Sequence, residues 1–326
     1  MPKKKTALLD PDALTLYSVP WSGDPAEDRI HFLGGSDMGT ILGINPYKSP
    51  YRLWLEKTGR LVPDDISDTI PVMVGHLCEE AVAQLYTHET GNKVEEALVS
   101  FMCKEYPFLK GHVDRLCSDL PDRGLECKTT SHHNKYNYLK GEVPPYYYAQ
   151  CQFYMMMTGR KHWDLSTLRD NNEFFVNPTS YDRNYCAIML TAAVHFWNYN
   201  VLGDNPPPID GSESTKEAIN KLYPHASSKQ TVDLESAESI IDERENAVQQ
   251  IKSWTKIKNR CDSTLKDMLG DHEAGESGRY YVTYRNSKGT IDMVKVKDLI
   301  GREKLEECRK PEGARMLNIV EKEEAK

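Results

Sequence analysis

The chain is poor in positive charge, in closely spaced cysteine and in clean apolar runs. Lys and Arg number 41 against 49 Asp and Glu, a formal net charge of −8 over 326 residues. A uniformly basic surface for polyanions is thereby excluded, since phosphates call for Lys and Arg. The balance is uneven: residues 1–210 carry 20 basic and 27 acidic side chains, and residues 211–326 carry 21 and 22. Any polyanion met by the N-terminal part must therefore be met through local patches or through metal ions. The eight cysteines (78, 103, 117, 127, 151, 186, 261 and 308) form no CxxC pair or tight cluster. They read as reduced thiols of a cytosolic protein, mostly filling the core, and they argue against an iron–sulfur site. The longest uncharged run, Asn184 to Gly203, has the length of a membrane span, but Asn184, His195, Asn198 and Asn200 would be costly in lipid. A buried helix of a soluble protein is the better reading. Lys3-Lys4-Lys5 lead into Leu8-Leu9-Asp10-Pro11, which is no signal-peptide core. No internal repeat is visible.

What remains is an ordinary globular composition, 28% charged and 39% hydrophobic. Residues 1–28 are rich in Pro and Asp and read as an N-terminal arm. Ser36-Asp37 open a short helix that Gly43 closes, and Ser49-Pro50 open a second one stopped at Gly59. Val74, Leu77, Ala81, Val82 and Leu85 mark a third helix over about 72–90. The pattern then becomes strand-like over 93–103, 110–118 and 124–130. Pro144-Pro145 start a helix ending at Gly159, two strands surround Asp170-Asn171-Asn172, and a long helix covers about 180–201. Helix, three strands, helix, strand is the signature of a mixed α/β layer fold. The Pro- and Gly-rich stretch 202–214 reads as the boundary, giving a domain over 29–203 and an extension over 215–326. The extension is expected to hold a long helix over about 232–269 and a hairpin pairing Tyr280–Tyr284 with Ile291–Val296.

The chemistry concentrates at Asp114 and at Glu126-Cys127-Lys128. Alternate side chains of a strand share a face, so Glu126 and Lys128 point the same way, with Asp114 on the preceding strand across from them. Two carboxylates and an ammonium converging at a sheet end make a hard-oxygen site for Mg²⁺ or Mn²⁺. An isolated Glu-x-Lys is more often a cross-strand ion pair, so the surrounding residues carry the weight.

Those surroundings resemble a known family. Asp114 followed by Glu126-x-Lys128, after a carboxylate-bearing helix, resembles the PD-(D/E)XK nucleases. Leu33-Gly-Gly-Ser-Asp37, Asn45-Pro-Tyr-Lys-Ser-Pro50, Leu53-Trp-Leu-Glu-Lys-Thr-Gly59, Gly75-x-x-x-Glu79 and Ala149-Gln-Cys-Gln152 resemble the YqaJ-type viral recombinases, relatives of the phage lambda exonuclease. The likeness covers about residues 28–200. It implies a mixed central sheet flanked by helices, and Mg²⁺-dependent (or Mn²⁺-dependent) exonuclease activity on the ends of duplex DNA, 5′→3′. It further implies a ring-shaped homo-oligomer such as a trimer, a single-strand annealing recombinase as partner, and a phage or prophage origin in a bacterial cytoplasm.

Residue roles follow from the same resemblance. Asp114 and Glu126 would be central metal ligands, joined by Glu79 and the Cys127 backbone carbonyl, and Lys128 would orient the attacking water or stabilise the scissile phosphate. Glu80 competes with Glu79, but a helix turns about 100° between them, so one alone can face the metals. Gln150 and Tyr154 share a helix face and would hold DNA or the nucleophile. Ser36 and Arg29 would receive a terminal 5′-phosphate, Arg29 through its guanidinium fork. Lys48, Arg52, Lys57 and Arg60 against Glu56 alone, and Lys128, Lys135 and Lys140 with His132 and His133, form basic patches suited to gripping a duplex. Two other readings fit the same residues: an endonuclease of the same fold, and a non-catalytic DNA-binding adaptor.

Overall fold

The computed structural model describes residues 7–21, 28–131, 142–226, 230–286 and 292–307. The chain divides into two compact units, 1–224 and 225–326.

In the first unit the N-terminal residues are woven into the fold. Strand β1 (Leu16–Pro20) pairs antiparallel with β3 (Val99–Cys103). Arg183 bridges Asp10 and Asp12 at 2.8 Å each, and the Leu9 N–H donates to Thr191 Oγ1 at 2.9 Å. Residues 7–21 of the expected arm thus form an integral edge of the unit. Helices α1 (Gly35–Ile41), α2 (Pro50–Lys57) and α3 (Ile70–Thr90) follow. The N-cap of α1 is Gly34, whose N–H is received by Asp37 Oδ2 at 3.1 Å, so Ser36 lies inside the first turn. Ser49 caps α2 as its sequence predicts, accepting from the Arg52 N–H at 3.1 Å.

Two of the expected strands are each split between two sheets. Residues 93–103 yield β2 (Val94–Glu96) and β3, and residues 110–118 yield β4 (Lys110–His112) and β5 (Arg115–Cys117). Strands β1, β3 and β4 form one sheet. Strands β2 and β5 form another with β6 (Arg123–Thr130), β7 (His162–Arg169) and β8 (Glu173–Ser180), in that order. The β6–β7 pair is parallel and its neighbours are antiparallel. A parallel pair needs a crossover, and α4 (Pro145–Thr158) supplies it.

Helix α4 is apolar nearly all round, and every residue from Ala149 to Met157 is buried. Such a helix belongs in a core. It packs on α1, on β3 and β4 of one sheet, on β7 and β8 of the other, and on α5 (Arg183–His195). Gly35 and Gly39 permit the close approach of α1. A Cβ at Gly35 would lie 2.7 Å from the Tyr154 ring, and one at Gly39 2.8 Å from the Tyr146 Cβ. On the opposite face of the five-stranded sheet, Val82, Ala83 and Tyr86 of α3 pack on Cys117, Leu125 and Cys127. The long uncharged run is α5 continued as a π-helical turn, Phe196–Leu202, and no helix among the described residues is long and apolar enough to cross a membrane.

The first unit runs past the 202–214 stretch. Helix α6 (Glu213–Leu222) returns to α2, with the Ser49 N–H donating to Ser214 Oγ at 3.1 Å and the Thr215 hydroxyl donating to Ser49 Oγ at 2.7 Å. In the second unit, α7 (Glu238–Leu269) precedes a hairpin of β9 (Ala274–Ser277) and β10 (Tyr280–Thr283), turned at Gly278 with φ +55°. The hairpin partner therefore precedes Tyr280 instead of following it. Met293–Glu307 are helical (α8), broken at Gly301. The expected turn from Asn286 to Gly289 lies largely outside the described residues.

Candidate active site

The site sits where the two sheets part. Strands β5 and β6 pair through Arg115↔Leu125 and Leu116↔Gly124, and the ladder stops there. One step further the chain leaves for the other sheet, and the Cys127 N–H, deprived of a strand partner, is received by Asp114 Oδ2 at 2.8 Å. The break in the strand thus fixes the Asp114 carboxylate beside β6. A buried N–H needs such a partner.

Glu126 and Lys128 share the face toward α4, as strand alternation predicts. Glu126 is 1% exposed, and its Oε1 receives both the Lys128 ammonium and the Gln150 side-chain amide, the latter at 2.7 Å. Gln150 also donates to the Tyr154 hydroxyl at 2.9 Å. The Lys128 ammonium lies 5.1 Å from the centre of the Tyr147 ring, a cation–π contact. Among the described residues, Glu126 Oε2 is buried without a hydrogen-bond partner.

Burial, reinforced by the Asp114 charge, pushes the Glu126 carboxyl up to about 8, against the pull of Lys128. Burial alone would lower the Lys128 ammonium, but Glu126 and Asp114 hold it well above its ordinary value. Glu79 is likewise raised, by burial and then by Asp114. The Asp114 charge therefore disfavours charge on both Glu126 and Glu79.

Glu79 approaches from α3, where Arg115 donates to its Oε1 at 2.6 Å and to Glu80 Oε2 at 3.2 Å. Arg115 also donates to the Asp114 carbonyl at 2.7 Å. The Glu80 side chain is 65% exposed against 31% for Glu79, and Glu79 is the one that feels Asp114 and Lys128. Sequence reasoning missed Arg115. Strand alternation placed it away from Asp114, and its partners lie 35 and 36 residues earlier.

Among the described residues, no three His, Cys, Asp or Glu side chains stand close enough together to cage a metal ion. The chemistry of the donors nonetheless suits a divalent cation. All are hard carboxylate oxygens, one of them a buried oxygen lacking any donor, in a cluster whose excess negative charge a cation would relieve. The Cys127 thiol packs with Val82, Tyr86 and Leu125 on the far face, and burial raises its pKa. It is neither a nucleophile nor a ligand through sulfur.

Other candidates stand elsewhere. Tyr154 is 6% exposed and its hydroxyl accepts a hydrogen bond from Gln150. Ser36 and Arg29 are both exposed, and no contact among the described residues joins them to Asp114, Glu126 or Lys128. Lys135 lies outside the described residues, as do Lys140, His132 and His133. His112 stacks on Trp21 at 4.0 Å, and Asp119 accepts the Lys93 N–H at 3.0 Å, so both are structural.

The basic patch of 42–60 dissolves in three dimensions. Lys48 pairs with Glu56 at 2.7 Å, Arg52 with Glu56 at 3.1 Å and Asp64 at 2.6 Å, Lys57 with Asp37 at 3.0 Å, and Arg60 with Asp204 at 2.7 Å. Its cations are each engaged by a carboxylate of the first unit.

Comparison with known proteins decides the family. Residues 26–161 match the YqaJ-like viral recombinase domain. The uncharacterized protein YqaJ of Bacillus subtilis (strain 168) is 31% identical over 277 residues, 83% of this chain and 86% of that protein. The chain belongs to the YqaJ-like viral recombinase family. Among solved structures, the alkaline exonuclease LHK-Exo of Laribacter hongkongensis is similar with 18% identity and a TM-score of 0.44, covering 60% of this chain and 97% of its own. A phage-related exonuclease from Haemophilus somnus 129PT is similar with 12% identity and a TM-score of 0.37, covering 53% of this chain and 96% of its own. In this chain Asp114, Glu126 and Lys128 come together on a mixed, helix-flanked sheet.

Proposed function

We propose that this protein is a divalent-cation-dependent exonuclease that resects the ends of linear duplex DNA. The observation that carries the reading is the convergence of Asp114, Glu126, Lys128 and Gln150 at the parting of the two sheets, with Glu126 Oε2 lacking a donor.

Asp114, Glu126 and Glu79 would hold the cation, which when bound supplies counter-charge and Lewis acidity for phosphodiester hydrolysis. Water attacks phosphorus in line, the bond to the leaving 3′-oxygen breaks, and that oxygen gains a proton. The Lys128 ammonium, kept charged by its carboxylate neighbours, stabilises charge on the scissile phosphate or orients the water. Gln150 holds Glu126 in place with one N–H. Exposed Arg29 and Ser36 are candidates for binding a terminal 5′-phosphate, consistent with 5′→3′ digestion. The exposed strand would then pass to an annealing recombinase.

The test is release of nucleotides from linear duplex in Mg²⁺ or Mn²⁺, with covalently closed circles alongside. Digestion of linear DNA with circles spared supports the exonuclease. Cutting of circles identifies an endonuclease, and inertness toward both identifies an adaptor.

A further inference from the structure

Each of the three carboxylates at the site has one oxygen fixed by a protein donor. Asp114 Oδ2 receives the Cys127 N–H, Glu126 Oε1 receives Lys128 and Gln150, and Glu79 Oε1 receives Arg115. Among the described residues, the second oxygen of each receives no hydrogen bond.

Arg115 opens β5, one step past the parting of the two sheets. Residues paired directly across strands share a face, so its pairing with Leu125 turns it toward α3, on which Leu125 packs. The side chain is 9% exposed, and its two terminal nitrogens serve three acceptors. One nitrogen donates to Glu79 Oε1 at 2.6 Å and to the Asp114 carbonyl at 2.7 Å. The other donates to Glu80 Oε2 at 3.2 Å.

A simple tie between α3 and β5 would be met by the Glu80 contact. The shared nitrogen does more, because it fixes the Glu79 carboxylate against the backbone of Asp114. A helix residue and a strand residue thereby keep a set separation. The planar guanidinium fork suits this task, whereas a lysine ammonium is a single point charge that cannot serve both sides from two nitrogens.

We propose that Arg115 is a positioning residue that holds Glu79 for divalent-cation binding, with Glu80 anchoring the guanidinium from the solvent side. Glu79 and Glu80 then both serve the site, one directly and one through Arg115. This rests on the reading of Asp114, Glu126 and Glu79 as the cation site.

The experiment titrates the full chain with Mn²⁺ alone, following the free ion by electron paramagnetic resonance and checking the fold by circular dichroism. The natural chain is compared with Glu126→Gln, Glu79→Gln, Arg115→Lys, Glu79→Gln/Arg115→Lys and Glu80→Ala. Arg115→Lys keeps the charge and loses the fork. It should weaken Mn²⁺ binding about tenfold or more, the usual effect of removing a group that orients a metal ligand. In the Glu79→Gln background the same change should add nothing, because Arg115 acts through Glu79. Glu80→Ala, at a side chain 65% exposed, should weaken binding severalfold with the fold intact.

A merely structural ion pair gives a lower melting temperature with Mn²⁺ binding per folded molecule unchanged, and that result overturns the proposal. Additive effects of Arg115→Lys and Glu79→Gln overturn it as well. Where Arg115→Lys does not fold, Glu80→Ala decides, and unchanged binding there is equally fatal. Binding lost in Glu126→Gln but kept in Arg115→Lys sinks the proposal and leaves the cation site standing. No Mn²⁺ bound by the natural chain overturns both.

Discussion

Gln150 on α4 and Glu126 on β6 are joined by a single hydrogen bond of 2.7 Å, Gln150 donating to the same oxygen that Lys128 engages. One carboxylate oxygen thereby receives two donors while the other, among the described residues, is buried without one. The bond is a positioning device, presenting Glu126 Oε2 in a fixed direction. Replacing Gln150 with Leu should lower nuclease activity about 10–100-fold. Gln150→Asn, too short to reach, should resemble Leu, and both should retain the native circular dichroism spectrum. Removing a hydrogen bond to a buried charged group costs roughly 1–3 kcal/mol, so a fall in melting temperature should accompany the loss.

Gly35 lets α1 rest against Tyr154, the second partner of Gln150. A Cβ there meets the phenol ring of a buried side chain that has nowhere to move. Gly35→Ala should destabilise the fold by about 1–3 kcal/mol, the usual range for overpacking, read from denaturant unfolding. Because the displaced ring carries Gln150 with it, activity should fall beyond the fraction unfolded.

Arg52 is held by Glu56 and Asp64 and is 9% exposed. Arg52→Ala should lower the melting temperature and leave DNA affinity per folded molecule unchanged. Loss of affinity in a fully folded variant would return this segment to the DNA surface.

The Glu105 carboxyl is depressed to about 2 by the Thr15 hydroxyl and N–H that it receives. A folded pKa below the unfolded value gives a contribution present above about 4.5 that is lost as pH falls through about 2. The protection of the amides at Thr15 and along β1, taken relative to their intrinsic exchange rates at each pH, should therefore fall on acidification through that window. Glu105→Gln should abolish the dependence.

These expectations rest on features of unequal legibility in the sequence. Helix starts and stops were plain, because Ser49-Pro50, Pro145, Gly91 and Gly159 act through local backbone physics. Strand alternation placed Glu126 and Lys128 together, and helix periodicity placed Gln150 with Tyr154. The splitting of 110–118 between two sheets has no local signal, since nothing at Val113-Asp114 announces a change of partner, yet that split sets the Asp114 carboxylate beside β6. Ion pairs misled for the same reason. Arg60 finds Asp204 across 144 residues, so a run that reads as a basic patch is neutral once folded. The hairpin was misassigned because Asn286 to Gly289 is the stronger turn signal, whereas Gly278-Arg279 makes the observed turn.

The central claim is that Glu126 and Lys128 form the catalytic heart of a cation-dependent DNA exonuclease. The most direct measurement is the rate of nucleotide release from 5′-phosphorylated linear duplex in Mg²⁺, for the natural chain and for Glu126→Gln and Lys128→Ala at matched folded concentration. The account predicts release by the natural chain that chelation abolishes, and a loss of at least about a hundredfold in each variant. Undiminished release by either variant would contradict it.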